Sequence, residues 1–144
     1  MKRFQFKLDK VLALRENNEK NWKIKLGEVV SKMNRVRGEM KRIEQSHRQH
    51  FKDFSLEKEG LEYLKVAELY FRKMEEDLKN LGERMEELTL EREEIQQEYI
   101  KASNDRKVIA KLKDRREAEY YKEQKLSEIK EIDDLTTGVY GRAR

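Results

Sequence analysis

The chain carries two imidazoles, His47 and His50, three residues apart. On a helix that spacing puts both on one face, where they would suggest metal ligation. A metal needs three or four donors, and the sequence supplies no third histidine and no cysteine. The pair therefore reads as two positions of an apolar seam, opposite Lys65 and Glu68, with the imidazoles hydrogen-bonded to carboxylates. The absence of cysteine also removes disulfides and a thiol nucleophile. Gly27, Gly38, Gly60 and Gly82 stand isolated and build no loop to cradle a phosphate. Neither a catalytic, a cofactor-binding nor a metal-binding set emerges, so an enzyme is not expected.

The remaining chemistry is that of surfaces. Lys107, Lys111, Lys113, Arg115 and Arg116, with Leu112 among them, form the densest basic stretch. It reads either as a solvated helix face or as a docking face for an acidic partner. Asp105 and Asp114 interrupt it and no recognition motif surrounds it, so nucleic acid is not expected. Phe4, Phe6, Tyr120 and Tyr121 are the aromatics of the same region. Phe4 and Phe6 cannot share one helical face, which predicts an irregular start that packs on a second helix or forms a partner-binding tip. Tyr63 and Tyr70 are candidates for a second partner, because Tyr70 points off the seam that holds Phe71. Trp22 lies on that seam and reads as packing.

These residues need long helices to position them. Charged residues make up 44% of the chain, mean hydropathy is −1.11, and proline is absent. Such a composition suggests disorder unless its apolar residues are periodic. They are: Trp22, Leu26, Val29, Met33, Val36, Met40, Ile43, His47, His50 and Phe54 alternate spacings of four and three. Leu64, Ala67, Phe71, Met74, Leu78, Leu81, Met85 and Leu88 resume the rhythm, and Arg92, Ile95, Tyr99 and Ala102 continue it. So narrow a seam can be buried only against another helix.

The rhythm breaks across residues 55–60, where Ser55 is a cap candidate and Gly60 frees the backbone. The expected fold is all-α: two long helices in an antiparallel coiled-coil hairpin, the second longer. The expected bounds are about 7–54 for helix one, 55–60 for the turn, 61–133 for helix two and 134–144 for a frayed tail, all in a single domain. Residues 1–60 carry 16 Lys/Arg against 9 Asp/Glu, and residues 61–100 carry 6 against 12, giving complementary flanks. A turn near residue 57 would set Leu8 opposite Lys107 and leave everything after about residue 108 overhanging. At the open end like charge would meet like. An internal hairpin predicts a monomer. No apolar run reaches the roughly 20 residues of a membrane span, and the start lacks a signal-peptide pattern, which predicts a cytoplasmic chain.

The opening Phe4-x-Phe6-x-Leu8-x-x-Val11-Leu12-x-Leu14-Arg15 resembles the start of FliJ, the flagellar export accessory family. So do the break near one third of the length, the segment Val108-x-x-x-Leu112-Lys113-Asp114-Arg115-Arg116, the pair Tyr120-Tyr121 and the patch Glu131-Ile132-Asp133-Asp134-Leu135. Thr136-Thr137 departs from the small residues usual there. The family is similar to the coiled-coil stalk of the rotary ATP synthase γ subunit. The resemblance implies an accessory component of flagellar type III protein export, cytoplasmic and peripheral at the inner-membrane gate. Its implied partners are a FliI-like ATPase hexamer, an FlhA-like gate protein and export chaperones. The basic and aromatic residues above would serve the ATPase, and Tyr63 and Tyr70 the gate or chaperones. The alternative is a coiled-coil tether with no coupling to an ATPase.

Overall fold

The computed structural model describes residues 2–53 and 56–142. It holds two helices, α1 (Asp9–Asp53) and α2 (Leu56–Arg142), and no strand among the described residues. The longer helix is the second, and the two pack against each other as an antiparallel hairpin. Phe54 and Ser55, assigned above to the seam and the turn, lie outside the described residues.

α1 begins at Asp9, whose carboxylate complements the positive end of the helix dipole. Before it the chain is not helical. The Asp9 amide donates to the Phe6 carbonyl at 3.2 Å, and the Leu12 amide to the Leu8 carbonyl at 2.9 Å, closing the first turn. α2 is interrupted at Gly60, with φ 75° and ψ −177°, the one positive φ among the described residues. A side chain in that conformation would clash with its own backbone, which glycine avoids.

The far end of α2 departs from expectation. The helix continues to Arg142, through residues 134–142 where the sequence predicts fraying. Thr136 and Thr137 donate their hydroxyls to the carbonyls of Ile132 and Asp133, both at 2.8 Å. They satisfy themselves inside the helix instead of competing with it.

The chain divides into two compact units, Met1–Lys20 with Ile100–Arg144, and Asn21–Tyr99. In the second, Val29, Met33 and Leu88 are buried, and Val36, Met85 and Ile95 pack against them. These are heptad positions of the two helices, and Leu88 is fully enclosed. Trp22 is half-buried, with Lys25 Nζ 4.4 Å from its ring centroid. His50 and Leu64, assigned to the seam, are exposed. In the first unit the buried residues are Phe6, Leu12 and Ala102.

Candidate partner-binding surfaces

In the unit built from the N-terminus and the end of α2, three ion pairs cross between the helices. Arg15 Nη1 lies 3.2 Å from Asp105 Oδ2, Lys113 Nζ lies 3.0 Å from Asp9 Oδ1, and Arg106 pairs with Glu19. The sequence predicts like charge against like here. The structure instead pairs three of the acids of the region, Asp9, Glu19 and Asp105, with cations of the other helix. The hydrogen bond to Asp9, helped by nearby carboxylates, raises the Lys113 ammonium above its ordinary pKa of 10.5.

The register is also corrected. Asp9, not Leu8's neighbourhood of Lys107, sets the scale: it meets Lys113, about two helical turns further along α2 than expected. The Tyr120 hydroxyl donates to the Lys2 carbonyl at 2.7 Å. The overhang thus begins beyond Tyr120, not at residue 108.

That segment carries the aromatic cluster. Phe6 is buried, while Phe4 lies tilted against Tyr120 with centroids 5.5 Å apart, and Tyr120 meets Tyr121 edge-on at 5.5 Å. Of the candidate residues, Lys107, Lys111, Arg115, Arg116 and Tyr121 are exposed. Leu112, Lys113, Tyr120 and Phe4 are half-buried, and Phe6 is turned inward. The structure therefore brings together a basic, exposed helix face and an aromatic knot at its edge. Beyond them Leu126, Ile129, Ile132, Leu135 and Val139 are all exposed, between 46% and 70%.

The other unit holds the second candidate surface. His50 meets Tyr70 edge-on at 4.6 Å, and His47 meets Phe71 edge-on at 4.8 Å. The carboxylate partners expected for the two histidines are replaced by aromatic rings, and His47 Nδ1 is buried with no hydrogen-bond partner. The Tyr70 hydroxyl is 3.0 Å from Ser46 Oγ. His50, Tyr63, Val66, Ala67, Tyr70 and Phe71 line a shallow apolar hollow of about 90 Å³. Tyr63 and Tyr70 do share one surface. Sequence reasoning missed Phe51, Leu61 and Leu69 in the same unit, which are exposed at 69%, 75% and 66%. Their signal was present: all three are apolar residues off the heptad seam.

The basic and acidic flanks of this unit do not form cross-helix ion pairs among the described residues. The pairs found are local to α2, Arg72–Glu68 and Arg84–Glu87. The charge asymmetry is displayed outward and does not hold the hairpin shut.

Comparison with curated proteins gave no match, and neither did comparison with solved structures. A family model described as Flagellar FliJ protein matches residues 4–144. A two-helix antiparallel hairpin with a longer second helix, matched over nearly its whole length, thus belongs to the flagellar FliJ protein family, whose role is an accessory one in flagellar protein export.

Proposed function

We propose that this chain is a non-enzymatic accessory of the flagellar export apparatus that docks on a FliI-like ATPase hexamer and promotes its assembly and activity. The observation that carries this reading is the joint exposure of Lys107, Lys111, Arg115 and Arg116 beside the Phe4–Tyr120–Tyr121 cluster. Cations steer the encounter with an acidic ring lining, and aromatics supply the contact area that holds it. The far part of α2, apolar and exposed, is the portion that enters the ring most deeply. On this reading the hollow at Tyr63 and Tyr70 receives an FlhA-like gate protein or an export chaperone, and the chain works in the cytoplasm at the inner-membrane gate. No helix among the described residues is long and apolar enough to cross a membrane, so attachment there is peripheral.

The test is to add the purified chain to its cognate export ATPase and follow hydrolysis and hexamer formation. Both should rise. The double charge reversal Arg115→Glu/Arg116→Glu should raise the half-maximal concentration about tenfold. No stimulation, or stimulation indifferent to the reversal, overturns the contact. The separate variant Tyr70→Ala should leave ATPase stimulation intact and weaken capture of the gate protein.

A further inference from the structure

Through the ion-paired region and beyond it, α2 carries two lines of residues at helical spacing. One is turned inward: Ala102 is buried, and Arg106, Ile109, Lys113, Glu117 and Tyr120 are half-buried. The other runs Lys111, Arg115, Ala118, Lys122, Lys125, then Ile129, Ile132, Thr136, Val139, alternating spacings of four and three throughout. Every residue of this second line is exposed. A seven-residue repeat sustained over an exposed face defines the seam of a further helix–helix contact. The seam is also polarised. Its first half is cationic, and its second half is apolar, flanked by Glu128, Glu131, Asp133 and Asp134.

This polarity selects both the occupant and its direction. A parallel copy would set Lys111, Arg115, Lys122 and Lys125 each against itself, four like-charged layers, whereas an antiparallel copy leaves only Lys125 against itself. An antiparallel copy brings each half to its complement. With Lys125 opposite Lys125 of the other copy, Lys122 falls over Ile129, Ala118 over Ile132, Arg115 over Thr136 and Lys111 over Val139. The long cationic stems then cover the apolar residues, while their charged heads reach the flanking Glu128 and Asp133. We propose that the C-terminal part of α2 pairs with a second copy of this chain in antiparallel register, centred on Lys125. The line includes Lys111 and Arg115 of the proposed ATPase contact, so a bound ATPase displaces the second copy. The pairing itself does not depend on that contact.

The experiment uses the full chain alone. The chain contains no cysteine, so introduced thiols report only on their own positions. Sedimentation equilibrium should show a monomer–dimer equilibrium that added salt weakens. Under mild oxidation Lys125→Cys should cross-link to itself. Lys111→Cys and Val139→Cys should each fail alone and cross-link when mixed. The reversal Lys111→Glu/Lys122→Glu should weaken dimerisation about tenfold, with helix content by circular dichroism unchanged because both sites are exposed. The reversed chain should pair better with Glu128→Lys/Asp133→Lys than with itself. A chain that stays monomeric at all concentrations overturns the proposal. So do self-cross-linking of Lys111→Cys, which reports a parallel pair, and a dimer indifferent to the reversal.

Discussion

Lys113 Nζ lies 3.0 Å from Asp9 Oδ1, joining the first residue of α1 to a point more than halfway along α2. The contact fixes the register of its unit, together with Arg15–Asp105 and the Tyr120–Lys2 hydrogen bond. It also ties the start of α1 to the basic stretch, so that Lys113 is engaged while Lys107, Lys111, Arg115 and Arg116 face outward.

The pH dependence of this pair follows from its sign. The Lys113 ammonium is held above its ordinary pKa of 10.5, chiefly by the hydrogen bond to Asp9. A raised folded-state pKa contributes stability that is fully present below about 10.5 and is lost as pH climbs through the folded value. Asp9→Asn should therefore bring the ammonium back toward 10.5 in an NMR titration, and differ from the parent in alkali less than it does at neutral pH. An unmoved titration would show that the pair does not persist in solution.

The core is thin, so its few enclosed residues carry unequal weight. Leu88 is fully buried among Val29 and Met33, whereas Leu90, two residues on, is 63% exposed. Leu88→Ala should cost about 2–5 kcal/mol in urea unfolding, from lost transfer energy and the cavity left behind. Leu90→Ala should change stability by about 0.5 kcal/mol or less. Equal effects from the two would mean that the heptad face is not the one packed here.

Two glycines separate backbone from packing. A Cβ added at Gly60 or at Gly82 meets nothing within 4 Å, but only Gly60 has a positive φ. Gly82→Ala, inside α2, should stabilise by about 0.5–1 kcal/mol through helix propensity. Gly60→Ala should destabilise by about 1–2 kcal/mol, because an L side chain resists that conformation. If both substitutions stabilised, the chain would pass residue 60 as continuous helix.

Much of the architecture was legible because a coiled-coil seam is written in one dimension. The alternation through Val29, Met33, Met85 and Leu88 names the buried face without any knowledge of the partner helix, and Gly60 marks the interruption. The basic stretch and the aromatic residues could likewise be chosen from type and position. A side chain's exposure and its partner are different in kind, since they depend on how one helix slides past the other.

Spacing therefore named the residues that had to meet another helix, because a repeat of seven is a property of a single strand of sequence. Folding settled which residues they met. It paired Asp9, Glu19 and Asp105 with cations of the other helix where like charge was expected, gave His47 and His50 aromatic rings in place of carboxylates, and drew the non-helical N-terminal segment along α2 as far as Tyr120. Periodicity is unchanged by a sliding register, so only the sum of side-chain contacts between the two helices could fix those pairings.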